Sequence, residues 1–190
     1  MEKRISGHTG LLALIGSPVG HSGSPAMYNY SFEKLGLDYR YLAFDIKEED
    51  TKKAIEALKM MNFRGCNITM PGKTVAASCC DELSKAAELT GAVNTIVNED
   101  GKLVGHITDG TGWIRNCLEH GFDIHGKKLV IAGCGGAGTA IQIAAALGGA
   151  KDVVILARKS SVRYANGEAT VQKIREHVPE CRAEIFDLED

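Results

Sequence analysis

Two groups of residues in this 190-residue sequence have types and spacings that suit chemistry. The first is Gly133-Cys134-Gly135-Gly136-Ala137-Gly138, set between the apolar runs Lys127 to Ala132 and Ile141 to Leu147. A buried strand that breaks into glycines and restarts as a helix aims backbone N–H groups at one point, which suits a pyrophosphate. Glycine is needed there because a side chain would keep the phosphate away from the backbone. The competing reading is a tight strand–helix turn with close helix packing. A second strand then ends in Leu156-Ala157-Arg158-Lys159-Ser160-Ser161, with no carboxylate before Glu168. NAD-binding folds usually place Asp or Glu at that point for the ribose diol. A guanidinium beside an ammonium and hydroxyls suits a 2′-phosphate instead, so these residues favour NADP over NAD. Without a ligand the same residues read as an exposed basic turn.

The second group lies in the N-terminal half. Gly16-Ser17-Pro18-Val19-Gly20-His21-Ser22-Gly23-Ser24-Pro25 ends a strand and opens a helix. Ser22 and Ser24, near a helix N-terminus, suit a small carboxylate. The bland alternative makes Ser24 the helix cap and Ser22 part of an ordinary turn. Asn67-Ile68-Thr69-Met70-Pro71-Gly72-Lys73 ends another strand and projects Asn67, Thr69 and Lys73 beyond the sheet edge. Gly91-Ala92-Val93-Asn94-Thr95 and Thr108-Asp109-Gly110-Thr111-Gly112 add Asn94 and Asp109 near further element ends. Ligands of open α/β sheets collect at such edges.

The elements that must position these residues follow from apolar periodicity. Strands are predicted at 11–16, 39–46, 65–70, 127–132, 152–157 and 182–187. Helices are predicted from Ser24 to Gly36, at 48–60, in a segment after Pro71-Gly72, and at 108–120, 137–147 and 164–177. Ala92 to Asn98 and Lys102 to Ile107 flank the turn Asn98-Glu99-Asp100-Gly101 as a hairpin. The fold class is α/β, with the division between domains placed after residue 110. Residues 1–110 are expected to form one domain, which the family resemblance given below assigns to substrate, and 111–190 the first half of a Rossmann cofactor domain.

Composition narrows the function classes. The sequence is 44% apolar and 24% charged, typical of a globular protein. A formal charge of −2 gives no basic field for nucleic acid or an anionic membrane. The apolar runs are too short to span a bilayer, and Glu2, Lys3 and Arg4 do not begin a signal peptide. Six cysteines, at 66, 79, 80, 117, 134 and 181, have no C-x-x-C spacing. They read as reduced thiols of a cytoplasmic protein that uses no metal.

Taken together, G-x-P-x-x-H-S-x-S-P, N-x-T-x-P-x-K, G-A-V-N-T, T-D-G-x-G and G-x-G-G-A resemble the shikimate dehydrogenase family, including its quinate/shikimate branch. The resemblance covers about residues 11–190, with the motifs in the family's order. It implies NADPH-dependent, reversible reduction of 3-dehydroshikimate to shikimate in aromatic amino-acid biosynthesis, by a monomer or homodimer with a small-molecule substrate. Carried over, Ser22 and Ser24 bind the substrate carboxylate, and Thr69, Asn94 and Asp109 hold the ring hydroxyls. Lys73 is the catalytic acid–base group, working beside Asp109. The loop chemistry described above assigns Gly133, Cys134, Gly135, Gly136 and Ala137 to the pyrophosphate, and Arg158, Lys159 and Ser160 to the adenosine 2′-phosphate. Ile107 stands where the family often has Asn, Tyr28 where it commonly has His, and Ala157 where an Asn often precedes the Arg.

Two alternatives stay open: a quinate/shikimate dehydrogenase using NAD, and a relative that binds without turnover. The second is raised by length. A Rossmann sheet has two βαβαβ halves, and only one is read here before Glu189-Asp190. The C-terminally incomplete chain is therefore expected to show little dehydrogenase activity alone, while retaining shikimate binding.

Overall fold

A computed structural model describes residues 5–189; Met1, Glu2, Lys3, Arg4 and Asp190 lie outside the described residues. The chain forms two compact units, residues 1–84 with 91–106 and residues 85–90 with 107–190. This differs from a single cut after residue 110. Residues 107–110 belong to the second unit, and so does a short helix inserted from the middle of the first.

The first unit is built on six strands: β1 (Gly10–Gly16), β2 (Tyr39–Asp45), β3 (Gly65–Ile68), β4 (Glu82–Leu83), β5 (Thr95–Glu99) and β6 (Lys102–His106). Their order across the sheet is β2-β1-β3-β5-β6-β4. β2, β1 and β3 are parallel, β5 pairs antiparallel with β3, and β6 antiparallel with β5. The two-residue strand β4, too short for a periodicity signal, was not anticipated; it lies parallel to β6. The hairpin forms as predicted. Asp100 and Gly101 both take positive φ (51° and 95°), and Gly101 N–H donates to Asn98 Oδ1 at 2.8 Å. Positive φ at both central residues gives the turn a twist that matches the strands.

Helix α1 (Ser24–Lys34) covers one face of this sheet, α2 (Thr51–Met60) follows β2, and α3 (Lys73–Ala77) follows β3. Leu14, Val19, Phe32 and Tyr41 form a buried cluster, with Tyr28 stacked on Tyr41 at 4.5 Å between ring centroids. Asn29 on α1 engages the outer edge of β2. Its Nδ2 donates to the Tyr41 carbonyl at 2.8 Å, and its Oδ1 accepts the Tyr41 N–H at 3.0 Å. This side chain satisfies backbone groups that an edge strand would otherwise present for further pairing.

The second unit holds α4 (Lys85–Thr90), α5 (Asp109–Glu119), β7 (Lys128–Ala132), α6 (Gly136–Leu147), β8 (Asp152–Ala157), α7 (Tyr164–His177) and β9 (Arg182–Asp187). The three strands are parallel in the order β7-β8-β9, with Val130 beside Val154 and Val154 beside Glu184. Val153, Ile155, Ile174 and Ala145 are fully buried at its centre. The short α4 is bound to this unit by Lys173, whose Nζ donates to the Leu89 carbonyl at 2.8 Å. Among the described residues no helix is long and apolar enough to cross a membrane.

Candidate functional site

Parallel pairing of β1 with β3 places Leu14 beside Asn67 and Ile15 beside Ile68. Two of the predicted loops therefore leave the same sheet edge. Their backbones are tied directly: Thr69 N–H donates to Ile15 O at 2.9 Å, and Ser17 N–H to Met70 O at 3.0 Å. Gly16 is needed at this junction. Its φ is +153°, and a Cβ there would lie 2.3 Å from Thr69 Cγ2 and 2.8 Å from the Met70 carbonyl oxygen. Ser17-Pro18 and Met70-Pro71 are both cis.

The third loop joins because β5 runs antiparallel to β3, with Asn67 opposite Thr95. The start of β5 thus lies at the carboxyl end of β3. Ile68 N–H donates to Asn94 O at 2.8 Å, and Val93 N–H donates to Lys73 O at 2.9 Å. Thr69, Lys73 and Asn94 are gathered at this edge by backbone bonds, Ser22 and Ser24 follow in the segment that leaves β1 through Ser17, and all five are partly buried.

Two local expectations are corrected here. Ser24 is the first helical residue rather than the cap; Gly23, which has no side chain, stands at the cap position. Ser22 instead accepts the Ser24 N–H on its Oγ at 3.2 Å. That bond uses a lone pair of Ser22 and keeps its O–H proton available as a donor. Asn67 does not project past the edge. Its Oδ1 accepts from Tyr41 Oη at 2.8 Å, and its Nδ2 donates to Thr95 Oγ1 at 3.1 Å.

Asp109 lies in the second unit, as the first residue of α5. The adjacent Gly110, read from sequence as part of a ligand loop, is instead a packing residue. A Cβ on it would lie 2.3 Å from the Ala140 carbonyl oxygen and 2.4 Å from Ala144 Cβ, both on α6.

The glycine loop is strand, turn and helix, as its sequence demands. Gly133 has φ +98°, its N–H donates to Leu156 O at 2.8 Å, and its carbonyl accepts Gln142 Nε2 at 2.8 Å. Gly138 lets the helix sit against that carbonyl, since a Cβ there would come within 2.6 Å of it. Helix α6 begins at Gly136 with Gly135 extended before it, and no described side chain caps it. Built Cβ atoms on Gly133 and Gly136 meet open space. An uncapped twelve-residue helix beneath an open glycine loop fits a diphosphate.

Within that loop Cys134 differs from its neighbours. Its side chain is 4% exposed, packed in the core, and its thiol contacts the Arg163 carbonyl at 2.9 Å. Any role of Cys134 toward a ligand falls to its backbone. Arg158, Lys159 and Ser160 are exposed in the turn after β8.

Sequence reading missed two residues of this region. A Cβ on Gly135 would lie 3.4 Å from an Arg163 guanidinium nitrogen, so a cation stands over the loop. Asp187, at the end of β9, accepts the Lys159 N–H at 3.1 Å and the Glu189 N–H at 3.2 Å. These backbone donors, that of Lys159 first, hold its carboxyl below the usual carboxylate range. Only pairing of β8 with β9 brings Asp187 to Lys159, twenty-eight residues away. Among the described residues no group of three His, Cys, Asp or Glu side chains is placed to hold a metal ion.

The parallel three-stranded unit with its glycine loop belongs to the class of dinucleotide-binding folds. Residues 14–96 match the family described as the shikimate dehydrogenase substrate binding domain. A shikimate dehydrogenase (NADP(+)) of Listeria monocytogenes is 53% identical over 190 residues, covering 100% of this chain and 65% of the relative. The crystal structure of Listeria monocytogenes shikimate 5-dehydrogenase in complex with shikimate and NAD is similar with a TM-score of 0.95 and 53% identity. That match covers 100% of this chain and 65% of the other. Shikimate 5-dehydrogenase from Thermus thermophilus, in complex with NADP(H) and shikimate, gives a TM-score of 0.76 at 31% identity. Here the match covers 94% of this chain and 68% of that one. The chain belongs to the shikimate dehydrogenase family. It spans about 65% of the length of the Listeria relative.

Proposed function

We propose that this chain carries the substrate-binding and adenine-nucleotide-binding parts of an NADP-dependent shikimate dehydrogenase. The observation that carries this reading is the single sheet edge on which backbone bonds gather the Ser22, Thr69–Lys73 and Val93–Asn94 loops. Ser22 and Ser24 supply hydroxyl donors for a carboxylate, and Thr69 and Asn94 supply polar groups for ring hydroxyls. Lys73 brings an ammonium to that edge. Reducing a ring ketone builds negative charge on its oxygen, and an ammonium can stabilise that charge and give up the proton. Asp109 is assigned to a ring hydroxyl and to the same proton chemistry. The nicotinamide, when bound, supplies the hydride. Gly133, Gly135, Gly136 and Ala137 would hold its diphosphate by backbone, and Arg158, Lys159 and Ser160 the 2′-phosphate. The name of the Listeria relative, shikimate dehydrogenase (NADP(+)), supports this cofactor.

The six free thiols support a cytoplasmic location, and the quaternary state we assign is monomer or homodimer. A second reading, use of NAD, is favoured by one observation: the Listeria crystal structure is a complex with shikimate and NAD.

The test has two parts. Calorimetric titration of the 190-residue chain with shikimate, quinate, 2′,5′-ADP and 5′-AMP measures binding. Rates with NADP+ and NAD+ are measured on a chimera to which the Listeria relative contributes the rest of its length. Shikimate binding with preference for 2′,5′-ADP, and NADP+-dependent oxidation of shikimate by the chimera, are expected. Better turnover of quinate with NAD+ would overturn the substrate and cofactor assignment. Binding without turnover by the chimera would favour the binding-only reading.

A further inference from the structure

A chain of polar contacts runs through the first unit from its core to Asn94. Tyr41 on β2 is 2% exposed. Its side chain reaches across β1, and its Oη lies 2.8 Å from Asn67 Oδ1. Asn67 Nδ2 lies 3.1 Å from Thr95 Oγ1 and 3.4 Å from the Asn94 carbonyl oxygen. Thr95 Oγ1 lies 3.0 Å from Asn94 Oδ1. Asn67 and Thr95 are directly opposed partners of β3 and β5, so the middle contact follows from the register.

The Asn94 carbonyl sets the orientation of Asn67 and, through it, the direction of the Tyr41 bond. A backbone carbonyl accepts and never donates, so the Asn67 atom facing the Asn94 carbonyl must be the amide nitrogen. Asn67 Oδ1 then faces Tyr41, whose hydroxyl must donate. Asn67 Nδ2 also donates to Thr95 Oγ1, which leaves the Thr95 proton to donate onward. Thr95 Oγ1 donates to Asn94 Oδ1, which turns the Asn94 amide nitrogen the other way.

We propose that Tyr41, Asn67 and Thr95 are positioning residues that fix the amide of Asn94, so that Asn94 meets its ligand as a hydrogen-bond donor. An asparagine amide is nearly symmetric in shape, and an unsupported one presents either oxygen or nitrogen. Fixing it in advance avoids ordering it on binding and commits the site to a ligand oxygen that accepts at that point. The proposal rests on the shikimate reading only for the identity of that ligand.

Two measurements on the 190-residue chain test it, one with ligand and one without. Thr95→Val removes the hydroxyl at nearly constant shape and should weaken shikimate binding about tenfold, as for loss of one charge-free hydrogen bond. Thr95→Ser keeps the hydroxyl and should stay within about twofold. In combination with Asn94→Ala, Thr95→Val should cost nothing further, because it acts only through Asn94. Additive losses would mean a merely structural role and overturn the proposal. Without ligand, the Asn94 side-chain NH2 resonances should shift in Thr95→Val and in the remote Tyr41→Phe, and stay in place in Thr95→Ser. Unmoved resonances in both would also overturn it. If Thr95→Val does not fold, Tyr41→Phe and Thr95→Ser decide the outcome. If the unaltered chain binds no shikimate, the dehydrogenase reading fails and the resonances alone judge the relay.

Discussion

The amide nitrogen of Val93 donates to the carbonyl oxygen of Lys73 at 2.9 Å. The first residue of α3 and the residue before Asn94 are therefore joined by backbone, independently of either side chain. Lys73 also follows the Gly72 turn, in which a Cβ would meet Thr51 Oγ1 at 2.7 Å. The backbone position of the lysine is thus set by main chain and by close packing.

Replacing that side chain should consequently separate chemistry from structure. Lys73→Met in the chimera is expected to lower the rate of shikimate oxidation by about 10²–10⁴, the range for loss of a general acid–base group. Shikimate affinity should change by less than about threefold, and the urea midpoint should hold. Equal losses in affinity and rate would show that Lys73 acts in binding.

Two glycines of α5 should respond in opposite directions. Gly110→Ala forces a Cβ to within 2.3 Å of the Ala140 carbonyl oxygen, which is backbone and cannot swing aside. Overpacking of this kind costs about 1–3 kcal/mol, more than the roughly 1 kcal/mol of helix propensity gained. At Gly112 a Cβ would meet open space, so Gly112→Ala should stabilise by about 0.4–1 kcal/mol. Urea unfolding of the two variants checks both signs.

Acid stability should depend on Asp81. Its carboxylate accepts the Leu103 N–H at 2.7 Å and lies 3.4 Å from Lys59 Nζ. The backbone donor first, and the ammonium second, hold its pKa below the ordinary value. A depressed folded-state pKa contributes stability above the ordinary aspartate range, lost as pH falls through the folded value. The melting temperature should therefore fall below about pH 4, and less steeply in Asp81→Asn. Parallel curves for the two proteins would contradict this.

Cofactor choice should follow Arg158. Arg158→Gln is expected to weaken 2′,5′-ADP binding about tenfold to hundredfold, the range for a charge-assisted bond to phosphate. Binding of 5′-AMP should be nearly unchanged. Titration of both nucleotides against the variant tests this directly.

Most strands and helices were legible because each carries its own signal. The alternation of β5 and β6 around Asp100-Gly101, and the apolar runs either side of Gly133 to Gly138, are local patterns that do not depend on distant partners. Element β4 was not legible, since two residues have no period. The assignment of α4 to the second unit was hidden for a related reason: it rests on packing against α6 and α7, with Lys173 bonded to Leu89, all far along the chain.

The sequence by itself determined which residues have the chemistry: the hydroxyls of Ser22 and Ser24, the ammonium of Lys73, the glycines that open α6, and the basic turn at Arg158. Those are properties of residue type and short spacing. Only the tertiary structure decided what each neighbour does with them. It made Gly110 a packing surface, turned Asn67 inward to Tyr41 and Thr95, withdrew Cys134 into the core, and set Asp187 against Lys159. Each of these depends on strand register or helix contact between residues distant in sequence, and neither periodicity nor spacing records which partners such contacts will choose.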